Sequence, residues 1–125
     1  GLNQKSSACV KLKYLNKTLS SESEGTGPID AVFKAIKNLI TIKAHLVVYQ
    51  VNAITKGTDA QAEVSVRLQE DGVSVLGVGN DIDTIVASGK AYIDGLNKLI
   101  NKKSKAKDSK KILNSPNSTI DKHVI

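Results

Sequence analysis

A phrase with two glycines occurs twice in the chain and limits what the chain can fold into. Residues 25–31 read GTGPIDA and residues 77–84 read GVGNDIDT. In both copies the glycines end an alternating run of residues and precede an apolar run of helical period. Each copy therefore predicts a strand, a tight turn and a helix N-terminus, in that order. Two copies predict a domain built from two similar units.

Each predicted helix start is a candidate anion site. The first N–H groups of a helix have no partner within the helix, and the helix dipole leaves partial positive charge there. Two such sites in one short domain favour a pseudo-symmetric binding module over a catalyst. Neither copy is a nucleotide-binding loop, because no Gly-Lys-Ser/Thr follows the glycines and the third glycine of a dinucleotide fingerprint is missing.

The segments around the two copies alternate as strands do. Strands are predicted at 7–15, 46–54, 60–69 and 73–78 and a polar hairpin partner at 18–24, with helices beginning at Pro28 and Asp81. The predicted fold class is α+β, with two pseudo-symmetric βββα units in which an antiparallel sheet packs with two helices.

The repeat also indicates a gap in the first unit. ACVKL at 8–12 matches AEVSV at 62–66, and the second copy is preceded by the predicted strand at 46–54. Residues 1–6 hold no counterpart of that strand. We therefore expect the first unit to lack its first strand.

Length and charge predict one domain and a tail. The 125 residues suit a single domain, placed at 7–101, with 1–6 as a cloning remnant or linker. Most of the net charge of +6 comes from residues 101–125, which hold 7 Lys against 2 acids, whereas residues 1–100 hold 11 Lys and Arg against 10 acids. Residues 102–125 are therefore predicted to be a basic, disordered tail.

The sequence also bears on the compartment. No apolar run approaches the roughly 20 residues that a transmembrane helix needs, so no membrane partner is expected. One cysteine, Cys9, excludes a disulfide within the chain. Nothing argues for an oxidising compartment, and a cytoplasmic location is expected.

No set of side chains predicts catalysis. His45 and His123 are far apart in the sequence and lack metal-ligand spacing, and Cys9 has no neighbouring base. Asp30 and Asp83 follow isoleucines at helix starts, where complementing the dipole explains an acid. Paired catalytic carboxylates are the alternative, and holding an amino group is a further role.

The lysine-rich tail leaves a second class of function open. Lysines can bind nucleic acid by releasing counterions, so a basic nucleic-acid-binding module is an alternative. Against it, three Tyr and one Phe give no evident platform on which bases could stack.

Three separated motifs resemble the C-terminal regulatory domain of 2-isopropylmalate synthase and of its relative citramalate synthase. They are EGTGPIDAV at 24–32, GTDAQAEV at 57–64 and DTIVASGKAY at 83–92. The resemblance covers roughly residues 7–100. It departs from the family at Thr26, where Asn is common, and at Gly89, where Ala is common.

The resemblance implies a regulatory piece of a larger enzyme. The parent enzyme condenses acetyl-CoA with a 2-oxo acid on a TIM barrel that holds a divalent metal. We therefore expect no activity and no cofactor in this fragment. The family's domain has two βββα units, dimerises and binds the pathway's end-product amino acid near the dimer interface.

The expected partners follow from that resemblance. They are a second copy of the chain, the catalytic barrel and a branched-chain amino acid, with no nucleic acid and no membrane. Leucine, acting by feedback inhibition in leucine biosynthesis, is the expected effector. Isoleucine, as for citramalate synthase in isoleucine biosynthesis, is the alternative.

Matched by position, the resemblance implies an effector pocket at the first helix start, the following strand and the residues after the next turn. Its members would be Gly25, Gly27, Ile29, Asp30, Leu46, Tyr49, Ala53, Ala60 and Ala62. Helix N–H groups would suit the carboxylate of an amino acid, and an acid would suit its ammonium. Small and branched residues would shape a slot for its aliphatic side chain.

Overall fold

The computed structural model describes residues 5–52, 60–106 and 121–124, which form six strands and two helices. In chain order they are β1 (Ser6–Tyr14), β2 (Lys17–Gly25), α1 (Pro28–Leu39), β3 (His45–Asn52), β4 (Ala62–Glu70), β5 (Val73–Asp81), α2 (Thr84–Ala106) and β6 (Asp121–Val124).

The strands form two antiparallel sheets, ordered β2-β1-β6 and β3-β4-β5. α1 packs on β1 and β2, α2 packs on β4 and β5, and the helices contact each other. The buried faces of both sheets and both helices belong to one apolar core. The α+β class is confirmed, but the strands form two sheets because each helix covers a sheet of its own.

The two units repeat with a constant separation in the sequence. β1 and β4 have the same length, as do β2 and β5, and each pair of strands is joined by two residues. The paired element starts are Ser6 with Ala62, Lys17 with Val73 and Pro28 with Thr84. Asp71 and Gly72 form the second hairpin turn with positive φ, as their sequence predicts.

That register corrects the predicted repeat. Gly77 and Gly79 lie inside β5, and α2 begins at Thr84 instead of Asp81. A Cβ on Gly77 would collide with the carbonyl oxygen of Ala91, and a Cβ on Gly79 with that of Ala87. The second glycine pair therefore lets α2 lie directly against the strand and does not form a turn.

The C-terminal region also differs from its prediction. α2 continues to Ala106, and β6 pairs with β1 from Ala8 opposite Val124 to Lys11 opposite Asp121. β6 lies on the side of β1 that corresponds to the place of β3 beside β4. It satisfies backbone groups that an edge strand leaves unpaired. Residues 102–106 thus belong to α2 and 121–124 to β6, where the sequence analysis expected a disordered tail, while 107–120 and 125 lie outside the described residues.

Polar side chains on α2 close the free edge of β5, and we call them the α2 column. They recur every four residues, which places them on one face of the helix. The contacts are Lys90 Nζ to the Asn80 carbonyl at 3.5 Å, the Val78 N–H to Asp94 Oδ2 at 2.9 Å, Lys98 Nζ to the Leu76 carbonyl at 2.7 Å, and Lys102 Nζ to the Ser74 carbonyl at 3.3 Å. Groups that could have paired with another chain are thereby satisfied.

Replacing Asp94 tests the α2 column. In Asp94→Ala the Val78 N–H loses its acceptor, so we expect its hydrogen exchange, measured by NMR, to rise about tenfold or more. Asp94→Asn keeps a side-chain oxygen and should retain part of the protection. Equal exchange rates in the wild type and Asp94→Ala would contradict the role given to the column.

Candidate functional site

Asp30 holds the turn between β2 and α1. Its Oδ2 accepts hydrogen bonds from the Thr26 N–H at 3.0 Å and the Thr26 hydroxyl at 3.4 Å, and it pairs with Lys34 Nζ at 3.1 Å. The bond from the Thr26 N–H and the neighbouring Lys34 ammonium keep the pKa of Asp30 below its ordinary 3.8. A charged Asp30 therefore ties the chain before α1 to the first turn of the helix.

The start of α1 carries no side-chain cap. Gly27 occupies the N-cap position and has no side chain, while Pro28 follows it without an N–H. The first N–H groups of the helix are those of Ile29 and Asp30. They lie at the positive end of the helix dipole, which suits a carboxylate or another anion.

A side chain of the protein caps the start of α2. Asp83 Oδ1 accepts hydrogen bonds from the Ile85 N–H at 2.8 Å and the Val86 N–H at 3.4 Å. This confirms the capping role predicted for Asp83. The two equivalent helix starts thus differ, because a carboxylate of the chain occupies the second. The sequence predicted an anion site at each helix start. In the structure the start of α1 has no side-chain cap, whereas the start of α2 is capped by Asp83.

The two glycines before α1 differ in the space around them. A Cβ on Gly25 would lie 2.5 Å from the Ala31 nitrogen and 2.6 Å from Asp30 Oδ2, closer than atoms can approach. A Cβ on Gly27 would meet nothing within 4 Å, and the backbone there is extended with φ −157°. Gly25 is therefore required by the turn, whereas Gly27 leaves an open surface beside the helix start.

Four side chains connect α1, β3 and α2, and we call them the Tyr49 cluster: Phe33, Tyr49, Ser88 and Tyr92. The Tyr49 hydroxyl lies 2.8 Å from Ser88 Oγ. The Phe33 ring meets Tyr49 edge to face, with centroids 6.0 Å apart, and lies 4.7 Å from the Tyr92 ring. Phe33 lies one turn after Ile29 on α1, so the cluster begins next to the open helix start.

Tyr92 is the buried end of the cluster. Its side chain is 1% exposed, and its hydroxyl has no hydrogen-bond partner in the described part of the chain. Burial raises the pKa of Tyr92 to about 12, so the phenol is neutral at physiological pH. The ring contributes to packing between the helices, and its hydroxyl adds no hydrogen bond there.

The sequence-predicted pocket residues fall into two groups. Gly25, Gly27, Ile29 and Asp30 form the turn and first residues of α1. Leu46, Tyr49 and Ala62 share the face of their sheet that α2 covers, because Leu46 and Tyr49 pair with buried residues of β4. Ala60 is exposed just before β4, and Ala53 lies outside the described residues.

Phe33 brings Ile29 and Tyr49 of these two groups into one neighbourhood. Phe33, Ser88 and Tyr92 were not among the pocket residues predicted from the sequence. The available signal was a serine among the apolar residues of α2, which Ile85 and Tyr92 flank at helical spacing.

Two features are absent from the described residues. Among them no three His, Cys, Asp or Glu side chains are grouped as metal ligands would be. None of their helices is both long and apolar enough to cross a bilayer.

Two similar units and one open helix start suit a domain that binds a small anionic ligand. Comparison with known families agrees with that class. The chain belongs to the LeuA allosteric (dimerisation) domain family, whose model matches residues 1–100.

Curated relatives are named 2-isopropylmalate synthase. Those of Afipia carboxidovorans and of Bradyrhizobium sp. strain BTAi1 are 52% and 54% identical over 98 residues, which is 78% of this chain and 19% of each relative. The relative from Nitrobacter winogradskyi is 53% identical over 95 residues, 76% of this chain and 18% of its own length. The chain thus spans about a fifth of the relatives that it matches.

Substituting the two glycines tests the geometry of the turn. Gly25→Ala forces backbone atoms of α1 to move, so we expect a loss of about 1–3 kcal/mol in the free energy of unfolding. Gly27→Ala adds a methyl group in open space and should cost less than about 1 kcal/mol. Thermal and urea unfolding measure both values. Equal losses would show that the turn is not packed as described.

Proposed function

We propose that this chain is the effector-binding regulatory domain of a 2-isopropylmalate synthase, and that it binds leucine at the start of α1. The open N-terminus of α1, beside the bare surface of Gly27, is the observation that carries the proposal. Family membership supports a regulatory role. The domain itself is proposed to have no transferase activity, which belongs with the catalytic barrel and its divalent metal.

The two ends of an amino acid would meet different parts of the site. Its carboxylate would accept hydrogen bonds from the Ile29 and Asp30 N–H groups. Its aliphatic side chain would pack toward Ile29 and the apolar face of β3, where Leu46 is 41% exposed and available for contact. Asp30 is engaged by Thr26 and Lys34, so its main role is to shape the turn.

Leucine is favoured over isoleucine because the relatives are named 2-isopropylmalate synthase and none of those above is named citramalate synthase. The two ligands differ in the position of one methyl branch, which a pocket distinguishes by about 1–3 kcal/mol.

The nucleic-acid alternative is weakened because basic residues at the end of α2 contact the domain. Lys102 bonds the Ser74 carbonyl, and Lys103 pairs with Glu70 and Asp71.

A second copy of the chain is the proposed partner. β3 exposes Leu46, Val47, Val48 and Val51, each by 41–52%. Among the described elements β3 alone holds no Asp, Glu, Lys or Arg, so two copies meeting there would bring no charges together. Exposed apolar surface of this kind is commonly buried between subunits. In the full enzyme, a cytoplasmic location and attachment to the barrel are expected.

Calorimetry with leucine, isoleucine and valine tests the effector. We expect saturable binding of leucine and about tenfold or weaker binding of isoleucine. Gly27→Val should weaken leucine binding about tenfold or more while the protein stays folded, because the added methyl groups stand beside the helix start. Tighter binding of isoleucine would contradict leucine as effector. Unchanged affinity in folded Gly27→Val would place the ligand elsewhere.

Light scattering and sedimentation test the assembly. The wild type should be a dimer at micromolar concentration, and Val48→Glu combined with Val51→Glu should be monomeric because like charges would meet across the contact. Leu76→Glu is the matched control, since Leu76 on β5 is 44% exposed against 45% and 48% for the two valines. A dimer that survives the β3 changes would refute the β3 contact.

A further inference from the structure

Ser88 fixes the direction of the hydrogen bond that it makes with Tyr49. A serine hydroxyl has one proton, and the Ser88 hydroxyl donates it to the Thr84 carbonyl oxygen at 2.7 Å, since a carbonyl oxygen can only accept. Ser88 Oγ must therefore be the acceptor in its 2.8 Å contact with the Tyr49 hydroxyl. The proton of Tyr49 points at Ser88.

In this orientation the Tyr49 oxygen can accept a further hydrogen bond, but it has no proton left to donate. Ser88 is completely buried, so no water competes for its oxygen, while Tyr49 is half-buried at the edge of the core. The edge-to-face contact with Phe33 fixes the plane of the Tyr49 ring. A ligand that meets the Tyr49 oxygen must therefore bring a donor.

We propose that Tyr49 accepts a hydrogen bond from the ammonium group of the effector, and that Ser88 is the positioning residue that holds the Tyr49 hydroxyl as an acceptor. This inference rests on the proposed function, because it places an amino acid between α1 and β3. The helix start binds the carboxylate of the amino acid, and the Tyr49 oxygen contacts the ammonium group on the adjacent Cα atom. Bonds from charged donors are the stronger kind and discriminate well against ligands that lack the donor.

A specificity follows that the helix start cannot provide. The 2-oxo acid with leucine's side chain carries the same carboxylate and the same aliphatic group, but it has a carbonyl oxygen in place of the ammonium. That oxygen would face an oxygen with no proton to offer, which leaves both without a partner. Tyr49 thus selects amino acids over their 2-oxo acids.

The test compares the affinities for leucine and for that 2-oxo acid by calorimetry. The wild type should prefer leucine by about tenfold or more. Tyr49→Phe should weaken leucine binding while leaving the 2-oxo acid unchanged, so that the preference falls to a few-fold. Ser88→Ala should also lower the preference, because it frees the Tyr49 proton to turn toward the ligand. The double variant should lose no more than the larger single effect, since the two residues act as one unit.

Tyr92→Phe is the matched control. It makes the same Tyr-to-Phe change in the same cluster but removes a hydroxyl that has no partner in the described residues, so the preference for leucine should not change. Circular dichroism checks that each variant is folded. If Tyr49→Phe fails to fold, Ser88→Ala still decides, because it leaves the Tyr49 side chain intact.

The outcomes separate this inference from the proposed function. A wild type that binds leucine, with the same preference in folded Tyr49→Phe or in folded Ser88→Ala, overturns the role of Tyr49 and leaves the regulatory function standing. A wild type that binds no amino acid overturns both. An equal loss of preference in Tyr92→Phe would show a general packing effect and would also overturn the inference.

Discussion

The site depends on how one carboxylate is used at each of two helix starts. Asp30 reaches back to the Thr26 N–H and so stabilises the turn without covering the first N–H groups of α1. Asp83 stands before α2 at the position that Gly27 holds before α1, and it bonds the Ile85 N–H directly. The start of α1 therefore stays open because a glycine takes the place of the capping aspartate, while Asp30 bonds elsewhere. A domain of two similar units becomes asymmetric at the position where a ligand carboxylate would bind.

The packing of the second unit extends this asymmetry. Gly77 and Gly79 bring α2 against β5, and the α2 column closes the outer edge of that strand. β5 is consequently covered on its inner face and its edge, whereas β3 at the opposite edge exposes valines. The contact proposed with a second copy of the chain therefore lies at β3, where apolar side chains are exposed, and not at β5. Tyr49 links that edge to the core, because it contacts residues of both helices.

Local patterns in the sequence predicted much of the fold. Alternation of apolar and polar residues placed the strands, Asp71-Gly72 placed a hairpin, and Pro28 placed the start of α1. The register of the repeat could not be read correctly, because glycine pairs serve equally well in a turn and in a strand that a helix approaches closely. β6 was missed because its pairing with β1 joins residues more than a hundred positions apart.

The site was predictable only in part. The helix start follows from the local sequence, and the pocket residues came from family resemblance. The role of Ser88 depends on a contact with β3 that no local pattern encodes. The uncapped state of α1 depends on where Asp30 points, which the sequence left open between capping and binding.

NMR of the backbone amides during a leucine titration tests the central claim most directly. Leucine should shift the amide signals of Gly27, Ile29 and Asp30 at the start of α1 and of Tyr49 on β3. The equivalent amides of Ile85 and Val86, which Asp83 already holds, should stay unchanged. Comparable shifts at both helix starts, or shifts confined to the start of α2, would contradict an effector site built on the single open helix start.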